Sequence, residues 1–305
     1  MHSCFMSVSQ DVFSRLIGAL VPPVPDTTTA QEILDQVSAG PRDEAPPNAY
    51  VRALATIEPV DVGGRRMLHL TPKSGRKRSG SHLLYWHGGA YALPLTSGHW
   101  FIIGELLRRS GAEVWVPSYP LTPEHTVEEV LPVLDAVSAY VAEAAKGARW
   151  VVAGDSAGGS LSVIQAFRDR DAGRRAADHL VLFSPAADYR FVNPEALALE
   201  SRDPMLNIRQ IRAAGVAWAG ERELTDPMIS PLFGSFEGLP PMTIFHGDRD
   251  LLLPDTLLLA QRAREAGVDV DFVQIPGGFH VHVTAIATPE ARRDLAHAAR
   301  VIRGG

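Results

Sequence analysis

The sequence predicts an α/β fold in which a mostly parallel sheet is covered by helices on both faces. Short apolar segments with the length of buried strands alternate with segments of ten or more residues that have helical periodicity. This alternation is typical of parallel strands joined by crossover helices. Several apolar segments are followed by glycine or proline, where loops begin. Because parallel strands end at the same sheet edge, we expect these loops to meet there.

Residues 1–50 differ from the rest of the chain and predict two helices that precede the sheet. Apolar side chains recur at helical spacing in residues 8–20 and 27–37, and Thr29 is a possible N-cap of the second helix. Helices this short are marginally stable alone. We therefore expect them to pack on the remaining residues, 51–305, which form the main predicted domain.

Predicted strands and helices alternate from residue 57 onwards. Strands 57–62 and 67–70 are predicted to form an antiparallel pair at the sheet edge, joined through Gly63 and Gly64. Between Asp188 and Gly238 the alternation stops, and residues 207–220 predict a helix outside the sheet, over its carboxyl edge. The other predicted strands are 82–86, 113–116, 150–153, 179–183, 241–246 and 268–275, and the other helices are 98–110, 127–145, 159–170, 254–266 and 289–302.

Charge and composition argue against several classes of partner. A net charge of −6 gives no general attraction to nucleic acid or to anionic membranes. No segment approaches the roughly 18 apolar residues of a membrane-spanning helix, and no basic segment precedes the apolar N-terminal residues as in an export signal. The single cysteine, Cys4, has no partner for an internal disulfide. We expect a cytoplasmic protein without nucleic-acid partners or integral membrane association.

Ser156 lies in the most informative stretch of the sequence. The apolar strand 150–153 is followed by Gly154, and small residues surround Ser156 before helical periodicity resumes. Gly154, Ala157 and Gly158 fit the Gly-x-Ser-x-Gly nucleophile elbow, a sharp turn that exposes the serine hydroxyl. The N–H of Ala157, in the first helical turn, would point to the same place. Small-residue turns between strand and helix are also common, so other residues must decide whether this serine is catalytic.

Two earlier loops also contain residues that can serve catalysis. Gly88 and Gly89 directly follow the predicted strand 82–86, and glycine lets backbone N–H groups turn towards a ligand. A plain glycine turn is the alternative. Glu124 and His125 could form an acid–base pair, but a polar network that holds their loop is the simpler interpretation.

Three loops at the carboxyl ends of strands each contain a group suited to acyl transfer. Ser156 is followed by an acid, Asp248 or Asp250, and then by His280, with His282 as a rival histidine. Serine needs an imidazole to accept its proton, and the imidazole needs a carboxylate to fix its tautomer. The order Ser, Asp, His is that of α/β-hydrolases. A chymotrypsin-like protease, whose motif also begins Gly-Asp-Ser, has its histidine and aspartate before the serine.

These motifs together resemble the hormone-sensitive-lipase-like carboxylesterases, also called α/β-hydrolase fold-3, from about Leu83 to the C-terminus. The resemblance implies an eight-stranded sheet and a helical cap, built from residues 1–50 and from an insertion at about 189–238. The matching motifs are His87-Gly88-Gly89, Tyr119 with Leu121, Pro123, Glu124 and His125, Gly154-Asp155-Ser156-Ala157-Gly158-Gly159, Gly247-x-x-Asp250-x-Leu252 and Gly278-Phe279-His280.

By position, the resemblance implies that Ser156 is the nucleophile and His280 the general base and then acid. It implies that Asp250, in preference to Asp248, orients His280. The implied oxyanion hole consists of the N–H groups of Gly88, Gly89 and Ala157.

The chain departs from the family pattern at three positions. Ala90 stands where the family usually has a third glycine, and a positive φ there would cost about 1 kcal/mol. This departure affects the acyl pocket more than the chemistry, because both N–H donors are retained. Ser118 replaces the usual aspartate before Tyr119, and His282 replaces a common aromatic residue.

The sequence thus predicts a serine carboxylesterase that hydrolyses a small-molecule ester through an acyl-enzyme intermediate. No metal or organic cofactor is expected, since His280 and His282 lack a third zinc ligand at a recognisable spacing. Without a long apolar lid segment, short-to-medium acyl chains are favoured over long-chain triglycerides. Candidate pocket residues are Tyr91, Tyr189, Phe191, Met205, Trp218 and Phe279.

Other interpretations of the same residues stay open. An amidase or peptidase would use the same triad with a different leaving group. A non-catalytic small-molecule receptor could use the same fold, although such receptors have lost the triad histidine. The predicted strand 268–275 could pair across a two-fold axis, which would give a homodimer.

Overall fold

An eight-stranded sheet forms the centre of the computed structural model, which describes residues 8–20, 25, 27–75 and 78–305. The strand order is β1-β2-β4-β3-β5-β6-β7-β8, and all neighbours are parallel except that β2 runs antiparallel to β1 and β4. The predicted mostly parallel, eight-stranded sheet is therefore confirmed. Its strands are β1 Ala55–Val62, β2 Arg65–Pro72, β3 His82–Trp86, β4 Glu113–Pro117, β5 Trp150–Asp155, β6 His179–Phe183, β7 Met242–Gly247 and β8 Val270–Ile275.

Helices cover both faces of the sheet, as expected for parallel strands joined by crossovers. Apolar side chains of α5, α6 and α9 fill one face, and those of α3, α4 and α10 fill the other. The helices are α1 Val8–Leu20, α2 Ala30–Ala39, α3 Ala49–Leu54, α4 Ser97–Ser110, α5 Val127–Ala144, α6 Ala157–Asp171, α7 Pro194–Leu199, α8 Ile208–Ala219, α9 Leu253–Glu265 and α10 Pro289–Arg303. The sequence missed α3 and α7, because six residues are too few to reveal a helical period.

The N-terminal helices begin and end close to their predicted bounds. Thr29 caps α2 as expected: its hydroxyl accepts the Glu32 N–H at 3.2 Å, and the Glu32 carboxylate accepts the Thr29 N–H at 2.7 Å. Cys4 lies outside the described residues, as do several others of residues 1–50. None of the described helices combines the length and the apolar character that a bilayer crossing requires.

The segment between β6 and β7 leaves the sheet, as its broken alternation predicted. It contains α7, α8 and two short 3₁₀ helices, Glu200–Arg202 and Pro231–Phe233. Helix α2 packs against α8, so the two segments outside the sheet touch each other. We use the word cap for residues 8–50 together with residues 189–238. Both α2 and α8 contribute residues to the wall of the cavity that contains Ser156.

Candidate active site

Ser156 occupies the sharp turn between β5 and α6. Its backbone has φ +52° and ψ −121°, a conformation that non-glycine residues rarely adopt and that costs on the order of 1–3 kcal/mol. The Ser156 N–H donates to the Phe183 carbonyl at 2.9 Å, which ties the turn to β6. A Cβ on Gly154 would lie 2.2 Å from the Gly158 carbonyl oxygen, and one on Gly158 would lie 2.0 Å from the Trp86 oxygen. The glycines therefore let the turn close while Ser156 stays partly exposed.

The turn after β3 lies against the Ser156 turn. A Cβ on Gly88 would lie 2.2 Å from an Asp155 carboxylate oxygen, so glycine is required for this approach. Gly89 has φ +118° and contributes to the wall of the Ser156 cavity. The N–H groups of Gly88, Gly89 and Ala157 take part in none of the hydrogen bonds found within the described part of the chain. Of these three residues, Gly89 alone belongs to the cavity wall, and the oxyanion hole stays a prediction.

Ala90 adopts φ +53°, which is the left-handed conformation. The family usually has a glycine at this position, and glycine adopts this conformation without strain. The methyl group costs about 1 kcal/mol there. Ala90 also contributes to the cavity wall, so this departure from the family changes the surface that substrate would meet.

His87 and Tyr119, two residues of the family motifs, hold the turn after β3 through contacts with its backbone. The Tyr119 hydroxyl donates to the His87 carbonyl at 2.9 Å, and the two rings stack with centroids 4.4 Å apart. Burial lowers the pKa of His87 to about 3, so its ring is neutral, and its Nδ1–H donates to the Gly88 carbonyl at 2.7 Å. These contacts fix the backbone of the turn.

The His280 ring is buried and hydrogen-bonded to a buried carboxylate. Its Nδ1 lies 2.8 Å from Oδ2 of Asp250, which is fully enclosed. Burial would raise the pKa of Asp250, but the positive His280 outweighs that effect and lowers it. Burial would lower the pKa of His280, but the Asp250 charge and hydrogen bond raise it above its ordinary value. The pair therefore favours an ionised carboxylate that orients the imidazole.

Asp250 rather than Asp248 contacts His280. The Asp248 carboxylate accepts the Gly277 N–H at 2.8 Å, and the Arg249 N–H donates to the Gly278 carbonyl at 3.0 Å. These bonds join the acid loop, which we define as residues 248–252, to the loop that carries His280. Asp248 is thus a structural residue of the same two loops.

Two other buried histidines lie close to this pair. His282, the rival in the sequence, has its Nε2 at 2.8 Å from Oδ2 of Asp294, which ties its loop to α10. His246 on β7 has its Nδ1 at 3.6 Å from Asp250 Oδ2, and burial lowers its pKa, so its ring is neutral. Neither histidine contributes to the cavity wall as His280 does.

Ser156 and His280 share the wall of one cavity of about 510 Å³. This volume falls in the range of small-molecule sites. Its wall comes from the turns after β3 and β5, from the His280 loop and from the two cap helices. The cap residues in it are Ile33, Gln36, Val37 and Gly40 of the N-terminal segment and Tyr189, Met205, Leu206, Asn207, Gln210, Ile211 and Ala214 of the insertion.

The predicted pocket residues are only partly in this wall. Tyr189 and Met205 line the cavity, whereas Tyr91, Phe191, Trp218 and Phe279 do not, and this corrects the prediction. The reason is packing: Tyr91 stacks on Trp218 with ring centroids 4.0 Å apart, and all four of these side chains are buried. Large aromatic residues contribute most to a core, and here the Tyr91–Trp218 pair joins the cap insertion to the rest of the chain.

A buried carboxylate beneath the turn after β3 was not expected from the sequence. Asp155 accepts the Tyr85 hydroxyl at 2.6 Å and lies 3.4 Å from the His99 ring, and both Asp155 and His99 reach the cavity wall. Burial would raise the pKa of Asp155, but His99 and the Tyr85 hydrogen bond lower it. No sequence signal marks His99, because only the fold brings α4 to the end of β5.

Glu124 forms an ion pair with Arg42 of the cap, in agreement with a structural role. Arg42 also donates to the Ala92 and Thr122 carbonyls at 2.6 and 3.0 Å, so one side chain attaches the N-terminal segment to two loops. Within the described ranges, no three His, Cys, Asp or Glu side chains come together in a way that could hold a metal ion.

Residues 83–284 match a protein family described as the α/β hydrolase fold. The chain belongs to this family. An acetyl-hydrolase from Streptomyces hygroscopicus is 32% identical over 231 residues, which are 74% of this chain and 77% of that protein. An esterase from Acinetobacter venetianus is 27% identical over 243 residues, 79% of each. An esterase of the bacterial hormone-sensitive lipase family superposes with a TM-score of 0.79 at 25% identity, over 98% of this chain and 99% of that one.

These relatives confirm three predictions made from the sequence. The α/β-hydrolase fold is confirmed by the family match, and the resemblance to hormone-sensitive-lipase-like enzymes is confirmed by the superposed esterase. The predicted class, an ester hydrolase, agrees with the names of the curated relatives.

Proposed function

We propose that this α/β hydrolase cleaves neutral carboxylic esters, with Ser156 as nucleophile, His280 as general base and Asp250 as the residue that orients it. The observation that carries the proposal is the buried 2.8 Å hydrogen bond between His280 Nδ1 and Asp250, in a cavity whose wall also contains Ser156. A serine hydroxyl becomes a useful nucleophile when an oriented imidazole accepts its proton.

The reaction takes place in two acyl transfers. The Ser156 oxygen attacks the ester carbonyl while Nε2 of His280 accepts the hydroxyl proton. The alcohol then leaves with that proton, and the acyl group stays on Ser156. Water, deprotonated by His280, attacks the acyl-enzyme, and the acid is released with Ser156 restored. Asp250 stays ionised throughout and stabilises the imidazolium.

Backbone N–H groups stabilise the negative charge that develops on the carbonyl oxygen. Gly88, Gly89 and Ala157 supply these donors in our proposal, and each such donor contributes on the order of 10²–10³ in kcat in other hydrolases. The donors are fixed before substrate arrives, because Tyr119 and His87 hold one turn and the glycine contacts hold the other. Fixed donors need no reorganisation during the reaction.

The charges around the cavity favour a neutral substrate. No lysine or arginine is among the described residues of the cavity wall, and the ionisable ones are Asp155, His99, His280 and Tyr189. A substrate carboxylate or phosphate would find no cation to bind and would approach the ionised Asp155. Gln36, Asn207 and Gln210 supply uncharged polar groups from the cap.

We further propose a preference for short-to-medium acyl chains. The cavity of about 510 Å³ is bounded by α2 and α8, and the acetyl-hydrolase relative supports the same preference. In a series of p-nitrophenyl esters from acetate to palmitate, we expect kcat/KM to be highest among the shorter chains and to fall for palmitate. A maximum at the long chains would contradict this preference without affecting the assignment of the catalytic residues.

Labelling with an organophosphate tests the assignment of Ser156 directly. We expect one covalent adduct, on the peptide that contains Ser156, by mass spectrometry. Because His280 acts as a base only when neutral and its pKa is raised above the ordinary value of 6.5, the labelling rate and kcat/KM should fall as the pH drops through that raised pKa. Exclusive labelling of another serine, or a rate independent of pH, would contradict the proposal.

Three further expectations from the sequence stay predictions. One is that residues 1–50 and 189–238 together form a functional cap over the active site. The second is a homodimer through the outer edge of β8, which pairs with β7 alone among the described strands. The third is the cytoplasmic location.

A further inference from the structure

Asp203 connects the cap directly to the loop that carries Asp250. It follows the 3₁₀ helix Glu200–Arg202 in the cap insertion. Its Oδ2 accepts the Leu251 N–H at 2.9 Å, and this N–H belongs to the residue directly after Asp250. Its Oδ1 accepts the N–H groups of Met205 and Leu206 at 2.8 and 2.9 Å. One carboxylate therefore bonds to both segments.

Both ends of this connection reach the active site. Met205 and Leu206 form part of the cavity wall, and so does Leu252 in the acid loop. The Leu252 N–H donates to the second oxygen of Asp250 at 3.0 Å, so the backbone that Asp203 holds also orients the Asp250 carboxylate. A shift of the Leu251 amide would turn Asp250 relative to His280.

The placement of Asp203 also affects the charge balance around His280. Burial and the Asp250 charge raise the pKa of Asp203 to about 6. The partly buried Asp203 carboxylate and the fully buried Asp250 carboxylate repel each other, and the positive charge of His280 offsets part of that repulsion. Ionisable groups near these three include Asp155 at the end of β5, the neutral His246 on β7 and His282 in the loop that carries His280. The negative charge of Asp203 adds to that of Asp250 in favouring the protonated form of His280.

We propose that Asp203 is a positioning residue for the hydrolytic reaction, through which the cap fixes the geometry of the Asp250–His280 pair. The inference rests on the proposed function, because it assumes that this pair is the base. It goes beyond that function by assigning a part in the reaction to a cap residue that touches neither substrate nor the reacting atoms. A geometric error of about 1 Å in such a pair can cost on the order of a hundredfold in rate.

The variant Asp203→Asn separates the two bonding roles of the carboxylate. Its amide oxygen can still accept from Met205 and Leu206, so the cap turn can keep its shape. Its NH₂ group would face the Leu251 N–H, so two donors would meet and that bond would be lost. The variant also removes one negative charge near His280.

We expect Asp203→Asn to lower kcat for p-nitrophenyl acetate on the order of tenfold, with a smaller change in KM. The acid limb of the kcat/KM profile should move to lower pH, because His280 loses a charge that raises its pKa. Asp203→Glu keeps the charge but misplaces the oxygen atoms, so it should lower kcat and leave the acid limb close to that of the wild type. If Asp203 had only a structural role, Asp203→Asn would lower the melting temperature without moving the acid limb of the kcat/KM profile.

Glu200→Gln is the matched control. Glu200 lies in the same segment, and its carboxylate accepts the Ile208 N–H at 2.8 Å away from the acid loop. This variant removes the same charge and should leave kcat and the acid limb within twofold of the wild type. An Asp203→Asn enzyme with wild-type kcat and acid limb, or a Glu200→Gln enzyme with the same losses, would overturn the inference. If Ser156→Ala, assayed alongside, kept full activity, the proposed function itself would fail instead.

Discussion

Replacing Ser156 with alanine is expected to lower kcat for p-nitrophenyl acetate by roughly 10⁵–10⁶-fold, as loss of the nucleophile does in other serine hydrolases. In the proposed reaction the Ser156 oxygen is the protein atom that becomes bonded to the acyl group, so no neighbouring side chain can replace it. The oxyanion donors and the cavity stay in place, which leaves a small residual rate above that of water. Steady-state assays at enzyme concentrations high enough to detect this residual rate would measure the effect.

Ser162→Ala provides the matched control for this loss. Ser162 lies in α6, the helix that directly follows Ser156, and its hydroxyl donates to the Gly158 carbonyl at 2.8 Å. It is buried and outside the cavity wall, so its removal should cost about 1 kcal/mol of stability and little activity. A Ser156→Ala enzyme that kept more than a tenth of wild-type activity would exclude the covalent mechanism. Equal losses in both variants would point to misfolding of α6.

Asp250→Asn is expected to lower kcat by about 10⁴-fold, the size of effect seen when a triad aspartate is replaced by asparagine in a serine protease. In this chain the Asp250 oxygen lies 2.8 Å from His280 Nδ1 and accepts a hydrogen bond from its N–H. An amide at that place can present its NH₂ group instead, which favours the tautomer with a proton on Nε2, and that nitrogen can then no longer accept the serine proton. The pH profile should also change, because the charge that raises the His280 pKa is gone.

Asp248→Asn separates this effect from a general disturbance of the acid loop. Asp248 contacts the Gly277 N–H and not His280, and an amide oxygen can accept the same bond. We therefore expect kcat within about threefold of the wild type and a similar melting temperature. If Asp248→Asn were the more damaging of the two substitutions, the choice of acid would be wrong.

The sheet could be predicted from the sequence because its strands are short apolar segments between clear loop residues. The segments 82–86 and 179–183 coincide with β3 and β6 as the structure has them, and the ends of the other strands differ by at most two residues. The identity of the residues at the carboxyl ends, including Ser156 and His280, follows from the same pattern. Parallel strands bring their ends together whatever the intervening sequence.

The walls of the cavity could not be predicted in this way. Gln36 and Gln210 reach the cavity because α2 packs on α8, a contact between residues far apart in the chain. Trp218 appeared suitable for a pocket because it is large and apolar, but the same properties favour its stacking on Tyr91 in the interior. Asp203 is a polar residue in a loop, and only the fold shows that Leu251 lies within hydrogen-bonding distance.

The close backbone contacts at Gly154 and Gly158 affect how a mutational scan of this enzyme should be interpreted. Any side chain at either position would overlap backbone atoms at 2.0–2.2 Å, a distance that no rotamer change can relieve. A library randomised at these positions would recover glycine almost exclusively, with the same intolerance as at Ser156. If positions were ranked by tolerance to substitution, Gly154 and Gly158 would rank as low as Ser156, although neither glycine has a side chain that could react. Measurements of protein abundance would separate positions needed for folding from positions needed for catalysis.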